Sequence, residues 1–182
     1  TSGSLLCWGG NHFGQIGNGK DFANYSDSPA EPKPFLSAGL GTVKAVATHN
    51  VTTCVVEGAG TVRCWGLDTC GNTGTGLLDS TCIDAEYTED AAGMTVRQPQ
   101  PVPGLFGVKS IGLGLSHGCA VNGDGKVACW GDNRNGAVGN GKSAMHYASE
   151  EAAFEPVPVN VGALHDATEV FTGVDLSCAR LG

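Results

Sequence analysis

The chain has 182 residues, 29 of them glycine, only 15% charged, and a formal net charge of −8. That length suffices for one domain with a real core, and this composition favours short strands and tight turns over helices. The acidic balance argues against nucleic acid and anionic membranes as partners, and no apolar run approaches the roughly 18 residues of a membrane helix.

The opening Thr1-Ser2-Gly3-Ser4 lacks signal-peptide character, so any targeting segment is expected to be removed or to lie outside this sequence. Leu5-Leu6-Cys7-Trp8 reads as the end of a strand, and Asn11 to Gly19 as turn chemistry with Gly14, Gly17 and Gly19. Asp21 to Pro34 reads as a polar loop, and Asn24-Tyr25-Ser26 within it is a glycosylation sequon. Val43 to Thr48 alternates as a strand does, and Asn50-Val51-Thr52 is a second sequon beside the next strand. Val51 to Val56 and Thr61 to Trp65 then form a hairpin around Glu57-Gly58-Ala59-Gly60.

After Trp65-Gly66 the chain carries Cys70 and Cys82, expected to staple an enlarged loop. Residues 79 to 90 hold Asp79, Asp84, Glu86, Glu89 and Asp90; their spacing matches no EF-hand, and a solvated acidic loop is preferred to a calcium site. Gln100-Pro101-Val102-Pro103 restarts the pattern, Val108-Lys109-Ser110-Ile111 parallels Val43-Lys44-Ala45-Val46, and Thr168-Glu169-Val170-Phe171 is a third copy. Only Lys142 to Glu155 has helical character, ended by Pro156 and Pro158.

These parallels are the main organisation of the chain. Cys119 to Gly141 is nearly repeated by Cys54 to Gly76, Cys7 to Gly19 is the second half of the same phrase, and Asp175 to Gly182 is the first half. Periods near 60 residues imply one supersecondary unit per repeat, each needing its neighbours to bury its faces. We place the repeats at 178–182 plus 1–53, 54–118 and 119–177, with three to four short strands each, as in a propeller blade.

Eight cysteines bear on that geometry. Cys54/Cys64 and Cys119/Cys129 are each ten apart across a glycine turn, which sets them opposite one another in a hairpin at a separation that suits a disulfide. Zinc is the competing reading, but no knuckle spacing is present; free buried thiols are the other. Disulfides, repeated in this way, point to an oxidising compartment, extracellular or at the cell surface. Cys7 and Cys178 each fall in half a hairpin, and we expect them to pair between chains or with further repeats. Two copies joined head to tail would close a six-bladed ring, and a contact that fails to close would make a filament.

The phrases Ser-His-x-Cys-Ala-Val and Asp-Gly-x-Val-x-Cys-Trp-Gly-x-Asn-x-x-Gly-x-x-Gly-Asn-Gly, strongest at Leu115 to Gly141, resemble the regulator of chromosome condensation repeat family. The second repeat departs from it, with Thr52 in the place of His117 and Asp68 in the place of the turn asparagine. The resemblance implies four-stranded antiparallel blades, usually seven closed into a ring through a shared blade. It also implies functions as diverse as nucleotide exchange on small GTPases, accessory domains of ligases, light reception and inhibition of a bacterial enzyme, so the fold alone does not fix the function. The paired cysteines are most like secreted bacterial and protist versions.

Three sites invite chemistry. Gly136 to Ser143 satisfies the GxxxxGK[ST] phosphate-loop pattern, but as the third copy of a repeated turn it is read as a chance match. His117 and Cys119 share a strand face; a catalytic dyad also needs an orienting group and a cleft, and a structural histidine is preferred. Trp8, Trp65 and Trp130 recur at one position and are assigned to packing between blades rather than to a binding face. No enzyme chemistry, cofactor or metal is assigned. The expected function is an extracellular structural module that assembles head to tail; the alternative is a propeller that binds and regulates a protein partner, with residues 77–98 and 142–155 as the candidate loops. In those loops Tyr87, Met94, Met145, Tyr147 and Phe154 are the available anchors.

Overall fold

The computed structural model describes residues 3–20, 30–37, 39–77, 94–143 and 154–182. Within them the chain is built from β1 (Leu6–Gly9), β2 (Glu31–Leu36), β3 (Val43–His49), β4 (Thr52–Glu57), β5 (Val62–Leu67), β6 (Thr95–Pro101), β7 (Val108–Leu113), β8 (His117–Asn122), β9 (Val127–Asp132), β10 (Phe154–Asn160), β11 (Ala167–Thr172) and β12 (Ser177–Leu181). Strands β3-β4-β5-β6 and β7-β8-β9-β10 form two complete antiparallel meanders, while β1-β2 and β11-β12 are two-stranded. These are blades of a β-propeller: two whole and two halves. Strands β3, β7 and β11 stand beside one another as the first strand of each unit.

Counted as sheets, the whole blades run from Val43 to Pro101 and from Val108 to Asn160. The sequence repeat cut at Cys54 and Cys119 divides the same periodic chain one strand later.

Each central hairpin is set by its turn. Glu57 N–H donates to Thr61 O and Gly60 N–H to Glu57 O, and Asn122 and Gly125 repeat the pattern with Lys126 and Asn122. The glycine takes φ of 80° in one turn and 73° in the other, a left-handed conformation that side chains rarely adopt.

The outer strands were hidden in the sequence. Residues read there as a polar loop or as proline punctuation form β2, β6 and β10, which carry Pro32 and Pro34, Pro99 and Pro101, and Pro156 and Pro158. Proline has no N–H for a ladder and is tolerated where one side of a strand lacks a partner, which is the outer edge of a blade. The helical reading of Lys142 to Glu155 falls mostly outside the described residues, and Phe154 already opens β10. The acidic loop 79–90 and Cys82 also lie outside them.

The core lies between blades. Cys54, Val56, Val62 and Cys64 of the first whole blade pack with Val108, Leu113, Ala120 and Trp130 of the second. Cys119, Val121, Val127 and Val138 pack in the same way with Ala167 and Val170 of the last half-blade. At about 25 cal/mol per Å² of apolar area removed from water, these shared clusters are what hold one repeat on the next.

Candidate functional site

The recurrent structural unit is the turn after each Trp-Gly. Asn11 accepts the N–H of Ile16 on Oδ1 (3.0 Å) and donates through Nδ2 to Asn18 Oδ1 (3.0 Å) and Lys20 O (3.3 Å). Asn133 repeats this with Val138 N–H, Asn140 Oδ1 and Lys142 O at 3.1, 3.0 and 3.1 Å. In the second copy Asp68 Oδ1 accepts from Thr73 N–H at 3.0 Å. Burial pushes the Asp68 carboxyl above the usual carboxylate range, against the lowering effect of the hydrogen bonds from Thr73.

On two of these turns sits the tryptophan of the next repeat. Trp65 donates from Nε1 to Gln15 O at 2.9 Å, and Trp130 donates to Asn72 O at 3.1 Å. Both indoles are fully buried. A Cβ added at Gly17 would lie 2.8 Å from Trp65 Nε1, and one at Gly74 would lie 2.7 Å from Trp130 Cδ1. Trp65 and Trp130 therefore pack between blades, but Trp8 does not: it is 64% exposed, because no turn of another repeat lies against β1 among the described residues.

The phosphate-loop pattern is this same turn. Gly136 N–H goes to Asn133 O, Gly139 N–H to Gly136 O and Lys142 N–H to Asn140 Oδ1, so these amides close the turn on itself instead of converging on an anion. Lys142 Nζ stands 3.4 Å from Glu155, as Lys20 stands 3.8 Å from Glu31 in the first copy.

Cys54 is bonded to Cys64 and Cys119 to Cys129, each pair directly opposed across its hairpin with Cα atoms 4.1 Å apart. Cys70 is also disulfide-bonded, while Cys82, its expected partner, is outside the described residues. Cys7 and Cys178 are free thiols within the chain.

His117 is buried, with Nε2 2.9 Å from Ser177 Oγ, which in turn donates to Ala137 O at 2.8 Å. Because the single hydroxyl proton of Ser177 goes to Ala137, His117 is the donor in their contact. Burial holds the His117 imidazole below its ordinary pKa, opposed by the Leu176 backbone, Asp132 and Asp175 and reinforced by His49. The histidine thus ties the last half-blade to the blade before it. Cys119 is spent in its disulfide and offers no thiolate.

Of the other singled-out residues, Asn50 lies exposed on the β3–β4 turn with φ of 47°, and Asn24 is outside the described residues. Met94 packs against Phe13, Val51 and Leu67, and Phe154 is half-buried, so neither is a free anchor; Tyr87, Met145 and Tyr147 are outside the described residues. Among the described residues no three His, Cys, Asp or Glu side chains stand close enough to hold a metal ion. What the sequence did not mark is the set of exposed apolar residues on the half-blades: Leu6, Trp8 and Leu36 at one end, Phe171, Leu176 and Leu181 at the other. The repeat already placed half a hairpin at each end; what it did not show is that Trp8, assigned to packing between blades, stands exposed.

Residues 108–137 match the regulator of chromosome condensation (RCC1) repeat. An RCC1-like G exchanging factor-like protein of Mus musculus is 29% identical over 170 residues, 92% of this chain and 34% of its own length. The structure of Prp20p from Saccharomyces cerevisiae, described with its binding to Gsp1p and histones, superposes with a TM-score of 0.73 at 21% identity, over 97% of this chain and 39% of that one. Yeast RCC1 (Prp20) bound to Kap60 gives 0.69 at 21% identity over 98% of this chain and 37% of that one. The chain spans only part of its relatives' length, 34% in the mouse protein. These similarities overturn the extracellular or cell-surface location expected from the cysteines, since the relatives and structural neighbours are intracellular, mostly nuclear or cytoplasmic. Paired cysteines report a bond that geometry permits, and do not by themselves fix a compartment. One stretch of the chain, residues 108–137, matches the repeat of the regulator of chromosome condensation family, and the fold is a β-propeller like that of Prp20p.

Proposed function

We propose that the chain is a propeller segment that binds and regulates a protein partner, acting through contact and not through chemistry of its own. The observation that carries this reading is the likeness to an exchange-factor-like protein along 92% of the chain. The structural neighbour Prp20p is described with its binding to Gsp1p and histones, which makes a protein partner the first class to test. A net charge of −8 favours a partner with a basic surface, because opposite fields steer encounter and raise the association rate. The test is a binding titration of the chain against purified Gsp1p and purified histones across a salt series. Saturable binding that weakens with salt supports the reading; no binding of either at about 100 μM, a Kd beyond which association is about 5–6 kcal/mol, refutes it for this class of partner.

A second reading is favoured by the two half-blades. Free Cys7 and Cys178 occupy the hairpin positions that are disulfide-bonded in the whole blades. On this reading the segment assembles with other copies of itself through blades that two chains share. The mass of the native particle tests it, with a single 18.5 kDa species at every concentration counting against it.

A further inference from the structure

The two whole blades differ at the foot of their central hairpins, and the difference opens a pocket in the second. In the first blade Glu57 fills that place. Its Oε1 accepts the Gly41 N–H at 2.6 Å and its Oε2 accepts from Arg63 Nε at 2.9 Å. Burial works to raise the Glu57 pKa, yet the hydrogen bonds from Gly41, Arg63 and Thr61 and the Arg63 charge hold it below the usual carboxylate range. The place is thus a seat for an ionised carboxylate. The registers Val43 opposite Glu57 and Val108 opposite Asn122 equate Gly41 with Phe106, Glu57 with Asn122, Thr61 with Lys126 and Arg63 with Ala128. The second blade therefore lacks both the carboxylate and the guanidinium. In their stead is a pocket of about 120 Å³ with Leu105, Phe106, Ala120, Asn122, Lys126 and Ala128 in its walls. All its walls lie between Gly104 and Asn160, within the second whole blade and the connection that leads into it.

The donors of the seat remain. Phe106 N–H, in the place of the Gly41 N–H, has no acceptor among the described residues, and neither has Lys126 Nζ. No carboxylate among them, Asp124 of the same turn included, comes within 4.0 Å of that ammonium. Asn122 Oδ1 accepts the N–H groups of Asp124 and Lys126, both at 3.0 Å, which leaves its Nδ2 to donate. The connection is fixed in place: Val102 N–H goes to Val62 O and Val108 N–H to Gly60 O, both at 2.9 Å, and Leu105 is buried between the blades. Its neighbour Phe106 is turned outward and is 73% exposed. We propose that this pocket receives an acidic side chain of a protein partner. Its carboxylate takes the Phe106 N–H and the Lys126 ammonium, as Glu57 takes Gly41 and Arg63, and an apolar residue beside it lies against Phe106. This rests on the partner-binding reading above and adds the place and chemistry of one contact. The complementarity is local, a single unpaired cation on a surface whose net charge is −8. At about 120 Å³ the pocket takes one side chain and is well below the roughly 300–1,000 Å³ of a small-molecule site.

The experiment titrates the 182-residue chain, isotopically labelled for amide NMR, with three probes. They are acetyl-Gly-Leu-Glu-Leu-Gly-amide, the same peptide with glutamine for glutamate, and sodium acetate. The expected result is a shift of the Phe106 and Lys126 amides with a Kd of about 1 mM or below for the glutamate peptide, and binding at least about tenfold weaker for the other two probes. Lys126→Gln and Phe106→Ala should each weaken the glutamate peptide by about fivefold. Both side chains are exposed, so these variants keep the fold. Asn122→Glu combined with Ala128→Arg installs the first blade's pair in the pocket and should abolish binding. No shift at Phe106 up to about 10 mM peptide, or glutamate and glutamine peptides within about twofold of each other, overturns the proposal. Acetate that binds as tightly as the glutamate peptide makes the pocket a site for small anions and overturns the protein occupant. Any of these failures alongside saturable binding of Gsp1p or histones overturns the pocket and leaves the partner reading standing. Failure of the peptide and of both proteins overturns the two together.

Discussion

Asp68→Asn tests the account of the repeat turn most directly. Asp68 occupies the place of Asn11 and Asn133, is 1% exposed, and accepts from Thr73 N–H without a cation beside it among the described contacts. Its siblings use their amide to donate to a side chain and a carbonyl further along the turn, a bond no ionised carboxylate makes. Thr75 and Leu77 stand where Asn18 and Lys20, or Asn140 and Lys142, stand in the other copies. Asparagine has the same shape, keeps the acceptor for Thr73 and supplies the missing donor. Because burial raises the Asp68 pKa on folding, the folded state binds its proton more tightly than the unfolded state does. Its contribution to stability is then fully present below the unfolded pKa and is lost as pH rises through the folded one. Each unit of that rise withholds about 1.4 kcal/mol at neutral pH. We expect Asp68→Asn to stabilise the chain by on the order of 1 kcal/mol at pH 7, about 2–4 °C in Tm for a chain of this size, with the gain shrinking toward pH 4. Urea and thermal melts at the two pH values measure it. A loss of stability at pH 7, or a gain of equal size at both pH values, refutes the reasoning.

Trp130→Ala should cost about 3–5 kcal/mol by opening a cavity between blades and orphaning Asn72 O, read as a drop in the urea midpoint. Lys142→Ala should change stability by less than about 1 kcal/mol, its Glu155 pair being exposed on the lysine side, and nucleoside triphosphates should not raise the Tm of either protein; a rise that the variant abolishes would restore the phosphate-loop reading. His117 has a folded pKa below its ordinary value, so its contribution is present above that value and lost as pH falls through it; stability should decline on acidification from pH 7 to 5, and His117→Gln should flatten that slope. Peptide mapping without reduction should recover Cys54–Cys64 and Cys119–Cys129, and reduction should lower stability by about 2–3 kcal/mol per pair in the chain-entropy model.

The inner part of each blade was legible because its signals are local. Val43 to Thr48 alternates, the Glu57 and Asn122 turns carry glycine where φ is positive, and cysteines ten apart are opposed in the register that sets Glu57 against Thr61 and Asn122 against Lys126. The outer strands were not legible, because β2, β6 and β10 spend prolines at positions where a ladder bond is not needed. A proline reads as a breaker until the strand is known to be the last in its sheet, and that is a property of the whole blade.

The three tryptophans show where repetition misleads. Equal sequence positions predict equal environments only if each repeat has the same neighbours. Trp65 and Trp130 each meet the turn of the repeat before, one through Gln15 and the other through Asn72. The contact is therefore made by a pair of repeats, and one repeat holds only half of it. Gly118 shows the same coupling from the other side: a Cβ there would stand 2.5 Å from Trp130 Cζ2, so the position that carries Thr53 beside Trp65 must be bare beside Trp130. Threonine supplies a bond to the turn where the indole leaves room, and glycine supplies the room where it does not. Ser177 bonds to its turn as Thr53 does, so the hydroxyl part of the contact is made at the third turn as at the first.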